Sequence, residues 1–170
     1  AQLILHNMAD AWSTTCGGGL IWNDTSWGSS QKNTVTNMLF AAGASMLYTY
    51  DKTKTYGTKT PLTADKWAAQ TWNWFIKTLF NASDGTISDH VDSSSISAPG
   101  KSLHAAIPVH LAGTSGCTVT ADQWSYNYGI FMKACAELVK NKISVDPKVV
   151  TQYAHLAAQK SLTQFTIGGV

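Results

Sequence analysis

Apolar residues return at three- and four-residue steps in five stretches of the chain, and runs rich in Gly, Ser, Thr and Lys separate them. That alternation predicts helices joined by polar loops. In the first stretch Ile4, Met8 and Ala11 or Trp12 share a face, and the helix ends near Ser13. Val35, Leu39, Ala42 and Met46 mark a second helix from about Lys32 to Tyr50. Ala68, Trp72, Phe75 and Leu79 mark a third from about Thr63 to Phe80, with Thr63 as N-cap after the break at Pro61. A fourth runs from about Gln123 to Asn141 through Phe131, Cys135 and Leu138. The fifth opens at Asp146-Pro147, a capping residue followed by proline at the first helical position, and its buried stripe reads Val149, Tyr153 and Leu156.

Residues 16 to 31 and 51 to 62 are short connectors, whereas residues 81 to 122 are too long to be inert in a compact domain. Within that region Ile87, Val91, Ile107, Val109 and Leu111 predict one short hairpin. No exact repeat is visible, but helix, polar loop and helix alternate in the texture of an α/α array.

At 170 residues with 44% hydrophobic content, the chain has the size and apolar share of one domain, residues 1 to 170. Charged residues make up only 13%, about half the usual share, so neutral polar groups solvate the surface. All 12 basic residues are lysines and the net charge is +2. Without arginine forks or a basic field, nucleic acid is excluded as a partner. No apolar run reaches the roughly 18 residues of a membrane span, and the N-terminus lacks a signal-peptide pattern, so the chain reads as mature or trimmed.

Cys16, Cys117 and Cys135 have neither CxxC spacing nor a histidine cluster, so neither a metal site nor any cofactor is expected. Cys135 lies on the apolar side of the fourth helix and reads as a buried thiol. Cys16 and Cys117 could form one bridge, although the odd count leaves open a partner outside the chain. Asn23-Asp24-Thr25 and Asn81-Ala82-Ser83 are N-glycosylation triplets that point to secretion.

Two segments carry candidate chemistry. The run Cys16-Gly17-Gly18-Gly19-Leu20-Ile21-Trp22 lets backbone approach a ligand or another chain closely, and Trp22 offers a flat face for a sugar's C–H surface. It is not a phosphate loop, because no Gly-Lys-Ser/Thr ending follows. The run Gln123-Trp124-Ser125-Tyr126-Asn127-Tyr128-Gly129 sets stacking aromatics beside amides that can bond hydroxyls. The blander alternative for both is a turn and a helix start whose aromatics fill the core. Asp84-Gly85 is first of all a turn signal.

In order, Trp12, Cys16-Gly17-Gly18-Gly19, Trp22, Lys32-Asn33, Asn37, Trp67 through Trp74, Asp84-Gly85 and Gln123 through Gly129 resemble the motifs of the endo-α-1,6-mannanases, glycoside hydrolase family 76, with their fungal cell-wall relatives. The likeness extends over roughly residues 10 to 140. It implies an all-α fold, about five or six helices forming the central portion of an (α/α)6 toroid, with Trp22, Asn33, Asn37, Asp84, Trp124, Tyr126 and Asn127 facing a glycan. Gln31 departs from the pattern, since a tyrosine usually precedes the Lys-Asn pair.

Members cleave or transfer α-1,6-linked mannan with retention, which needs one carboxylate to attack and another to donate a proton, about 5 Å apart. The family's adjacent aspartates would fall before residue 1, and none of the nine aspartates here is adjacent to another. Asp89 and Asp92 are close in sequence but read as a solvated loop, and Asp10 stands alone. The catalytic residues are therefore expected outside this chain, in a secreted or cell-wall enzyme whose partner is mannan. Six helices leave apolar edges to be covered by the rest of the toroid or by self-association. The alternative is a non-catalytic glycan-binding protein on the same scaffold. A Ser-His-Asp hydrolase built on Ser94, His90 and Asp92 lacks a nucleophile elbow.

Overall fold

A computed structural model describes residues 1–22, 31–93, 107–108 (backbone only) and 116–166. Five α-helices dominate it: α1 (Gln2–Asp10), α2 (Thr34–Tyr48), α3 (Ala64–Thr78), α4 (Ser125–Lys140) and α5 (Pro147–Phe165). α2 and α4 lie side by side. α1 and α3 pack on α2, and α5 packs on α4, which gives inner and outer helices in alternation. At one end Asp89 links Thr34 of α2 to Asn127 of α4. At the other, Ser45 Oγ donates to the Glu137 carbonyl at 2.8 Å. The inner helices are therefore parallel, with both N-termini at the same end.

The predicted stripes of α3 and α4 are the buried ones: Ala68, Trp72, Phe75, Leu79, Phe131, Cys135 and Leu138 all lie in the core. Phe131 is its hub, stacked on Trp72, Phe75 and Phe80 with centroids 5.1–5.5 Å apart. Such pairs add roughly 0.5–1.5 kcal/mol each beyond area burial. Asp146 caps α5 by accepting from the Lys148 amide at 2.9 Å. Its wholly buried residues are Val150 and Ala157, flanked by the half-buried Val149, Tyr153 and Leu156. Thr63 takes the N-cap position of α3, but its hydroxyl donates to Asp65 and caps no amide.

Two predicted faces are turned. On α2, Leu39 and Met46 are 54% and 45% exposed, while Thr34, Asn37, Met38, Ala41, Ala44 and Ser45 face the core. This helix is apolar around its whole circumference, so period alone could not choose a side. On α1 the buried residues are Leu5 and Ala9, and Ile4 is exposed.

The long region carries a sheet rather than the predicted hairpin. Strands β1 (Lys32–Asn33), β4 (His90–Ser93), β6 (Cys117–Val119) and β5 (Ile107–Pro108) lie in that order, every pair antiparallel. Val91 and Ile107 therefore do not pair with each other. Both oppose Val119, because the three-residue β6 sits between them, and Ile87 bridges to Phe80 instead. Val109 and Leu111 lie outside the described residues. A smaller pair, β2 (Thr55–Tyr56) and β3 (Leu62–Thr63), leads into α3.

Cys16 and Cys117 form a disulfide spanning 101 residues, and Cys135 is a buried free thiol, pushed up to about 12 by burial. The bridge pins the glycine-rich loop to β6. Cys16 through Gly19 all have positive φ, and a Cβ on Gly19 would lie 2.7 Å from the Trp74 ring. The close approach these glycines permit is thus to the molecule's own tryptophan.

Candidate functional site

The site lies where the parallel inner helices begin. β1 runs directly into α2, and Asn33 caps it by accepting from the Thr36 amide at 3.0 Å. β1 pairs with β4 so that Asn33 stands opposite His90. Asp89, just before β4, then ties the two helix ends together. Its carbonyl accepts from Thr34 N at 2.7 Å and its amide donates to the Asp122 carbonyl at 2.8 Å. Its Oδ1 accepts from Asn127 Nδ2 at 2.9 Å and from the Tyr126 hydroxyl at 3.4 Å.

Asp89 Oδ2 lies 3.0 Å from His90 Nδ1, and Asp92 Oδ2 lies 3.4 Å from His90 Nε2. Burial disfavours a charged imidazole, but hydrogen bonds to Asp89 and Asp92 outweigh it and raise His90 to about 9. At neutral pH both ring nitrogens then carry protons and point at carboxylates. This histidine is a spacer holding two anions and has no free lone pair for base catalysis or for a metal. Burial works to raise Asp89, yet the bonds from His90 and Asn127 hold its carboxyl below the usual carboxylate range. Asp89 is therefore ionised and is unsuited to be the proton donor of a two-carboxylate mechanism.

Beside this cluster, Trp124 and Tyr126 are 51% and 50% exposed, with ring planes 11° apart and centroids 6.4 Å apart. They make a flat apolar surface next to an ionised carboxylate, the two surfaces a sugar ring presents needs for: C–H faces stack, and hydroxyls donate. Trp22 is also exposed, its amide donating to the Gln31 carbonyl at 2.9 Å on the approach to β1.

Three predicted residues have other employment. Asn37 is fully buried. It accepts from the Leu20 amide at 2.8 Å and donates to the carbonyls of Leu20 and Asn33, holding the glycine-rich loop rather than facing a glycan. Asp84 accepts from Thr86 and from Lys160 of α5, partners that stand apart from the Asp89 cluster. A Cβ on the adjacent Gly85, whose φ is +77°, would lie 2.4 Å from the Leu156 carbonyl oxygen, so the pair is the seat on which α5 docks. Asn127 is buried, its side-chain oxygen has no hydrogen-bond partner among the described residues, and it acts on the site through Asp89.

Sequence reasoning singled out Asp89 and Asp92 across His90 but took them for a solvated loop, whereas Asp89 is tied to both inner helix starts and His90 lies between the two carboxylates. The available signal was period two: His90 and Asp92 alternate with the buried Val91 on one face of β4. Lys32 was missed. It is wholly buried, pushed down to about 8 by desolvation, and its ammonium donates to the carbonyls of Ser13 (3.0 Å), Gly18 (2.6 Å) and Thr15, clasping the loop. A groove of about 800 Å³ along α3, lined by Trp12, Gln70, Asn73 and Lys77 among others, contains none of the cluster. Among the described residues no group of His, Cys, Asp or Glu is placed to hold a metal ion, and no helix is long and apolar enough to cross a membrane.

A model of Glycosyl hydrolase family 76 matches residues 1–142. The mannan endo-1,6-alpha-mannosidase DCW1 of Saccharomyces cerevisiae is 30% identical over 142 residues, covering 81% of this chain and 26% of its own length. Its namesake from Candida glabrata is 30% identical over 141 residues with the same coverages. The chain thus spans about a quarter of the length of these curated relatives. Among solved structures, the Lin0763 protein from Listeria innocua superposes with a TM-score of 0.71 at 24% identity, over 100% of this chain and 40% of that one. An inactive alpha-1,6-mannanase of a Salegentibacter species, two consecutive aspartates replaced and alpha-1,6-mannotetrose bound, superposes with a TM-score of 0.66 at 20% identity, over 98% and 41%.

Proposed function

The chain belongs to glycosyl hydrolase family 76, and from that premise we propose that it forms one wall of the glycan cleft of an enzyme that cleaves or transfers α-1,6-linked mannan. The observation that carries this reading is the convergence of two parallel helix starts on Asp89, His90 and Asp92 beside the exposed pair Trp124 and Tyr126. In it the aromatic pair stacks on a sugar face and Asp92, half exposed, accepts from hydroxyls. Trp22 and Asn33 extend the same wall. The helix N-termini of α2 and α4 add partial positive charge, which stabilises the carboxylates in their ionised form.

The attacking and proton-donating carboxylates are proposed to come from sequence outside these 170 residues. The chain contains no two adjacent aspartates, the pair replaced in the inactive Salegentibacter enzyme is consecutive, and the bonds that hold Asp89 below the usual carboxylate range disfavour it as the proton donor. Secretion to the extracellular space or cell wall accords with the Cys16–Cys117 disulfide, since such bridges persist in oxidising compartments.

The test is calorimetric titration with α-1,6-mannotetraose. Trp124→Ala and Tyr126→Ala should each weaken binding about 5- to 30-fold, the loss of roughly 1–2 kcal/mol of stacking and area burial. Unchanged affinity in both would sink the assignment. The second reading, a glycan-binding protein without catalysis, rests on the missing aspartate pair. It predicts the same binding losses together with no cleavage of end-labelled mannotetraose by the native protein.

A further inference from the structure

The turn after α3 carries chemistry that the cleft does not use. Asn81, Ala82 and Ser83 are all exposed. The Asn81 side-chain oxygen accepts from the Ser83 amide at 3.0 Å and from the Ser83 hydroxyl at 2.7 Å. Its backbone is fixed as well, the amide donating to the Thr86 carbonyl at 2.9 Å and the carbonyl accepting from Gly85 at 2.8 Å. The side-chain nitrogen makes no hydrogen bond among the described residues. An anchored oxygen, an open nitrogen and the triplet's own hydroxyl held against the carboxamide present a nucleophile outward on a rigid turn. The disulfide between Cys16 and Cys117 independently assigns the chain's folding to an oxidising compartment.

We propose that Asn81 is a glycosylation site, carrying an N-linked oligosaccharide. In the transfer, Asn81 Nδ2 bonds to the anomeric carbon of a sugar chain delivered on a lipid pyrophosphate. The anomeric C–O bond breaks, the lipid pyrophosphate leaves with the electron pair, and the amide loses one proton to a base of the transferring enzyme. No oxidation or reduction is involved. The attached glycan projects from the same turn whose Asp84 and Gly85 seat α5. A hydrated oligosaccharide there supplies polarity to a surface poor in ions. The second triplet, at Asn23, lies outside the described residues and is not part of this proposal.

The protein is secreted from a eukaryotic host and its glycopeptides are read by mass spectrometry, with enzymatic glycan release in heavy-oxygen water to mark each asparagine that had been modified. The expected result is a glycan at Asn81 in most molecules. It is abolished in Asn81→Gln and in Ser83→Ala, which keeps the asparagine and removes only the hydroxyl, and it is retained or increased in Ser83→Thr. Affinity for mannotetraose should be the same in Ser83→Ala as in the unaltered protein, which separates this site from the cleft. An unmodified Asn81 peptide from secreted, disulfide-bonded protein overturns the proposal, and so does a glycan confined to Asn23.

Discussion

Converting His90 to Gln removes a positive charge from between two carboxylates, and its consequence for stability can be worked out in sign and size. In the unfolded chain histidine titrates near 6.5, and in the fold His90 is raised to about 9. Between those values the folded state binds a proton that the unfolded state does not. The stabilisation is therefore complete below pH 6.5 and is lost as pH rises through 9. At roughly 1.4 kcal/mol per pH unit, the rise to about 9 corresponds to about 3 kcal/mol. Because the Asp92 side chain is half exposed, solvent screening leaves about 1–3 kcal/mol. Lys32 works in the opposite direction. Its folded value of about 8 lies below the ordinary 10.5, so its contribution rises with pH over that interval. The informative quantity is accordingly the difference between the unaltered protein and His90→Gln, from urea unfolding at half-unit steps from pH 6 to 9.5. The unaltered protein should lose about 1–3 kcal/mol relative to the variant across that range. Parallel curves would refute the carboxylate–imidazolium–carboxylate arrangement.

Gly85→Ala should destabilise by at least about 2 kcal/mol, since a left-handed backbone alone costs roughly 1–2 and the new methyl meets the Leu156 carbonyl oxygen at 2.4 Å. Hydrogen exchange should show α5 amides losing protection before those of α2 and α4. Lys32→Met leaves the carbonyls of Ser13, Thr15 and Gly18 without their shared donor. A loss of about 3 kcal/mol is expected, together with faster proteolysis within residues 13–20. Replacing Cys16 and Cys117 together by serine should lower stability by about 2–5 kcal/mol, because the bridge closes a loop of about 100 residues. Equal melting temperatures with and without reductant would count against it.

How much of this was legible in the sequence depended on contrast. α3 and α4 alternate apolar with polar residues strongly enough that Trp72, Phe75, Phe131 and Leu138 point inward without ambiguity. α2 has almost no polar face, so reading Leu39 and Met46 as core was a choice the pattern could not arbitrate. β6 is three residues in a polar loop, and its place between β4 and β5 follows from the Cys16–Cys117 bridge and the Val91–Val119 pairing, which are long-range facts. The site divides the same way. Trp22, Trp124 and Tyr126 were visible as aromatics beside helix starts. Asn37 was read as a ligand group, although its four-residue step from Asn33 places it on the buried side of α2, where an amide serves backbone. Asp89 and Asp92 were read as a solvated loop because what orders Asp89 is distant in sequence: Thr34 lies 55 residues before it and Asn127 lies 38 after it.

Asp89 joins α2 by its carbonyl, the segment before α4 by its amide, and α4 itself by its carboxylate. The spacing of the two inner helices at their N-terminal ends is therefore set across one residue rather than by the length of a loop. Loops around such a gap can lengthen or change composition without altering its width. A single added methylene, as in Asp89→Glu, would lengthen the link to Asn127 and loosen the tie between the two helix starts. Aperture, in this protein, is set by one residue's three connections, and tolerance to insertion in the surrounding loops follows from it.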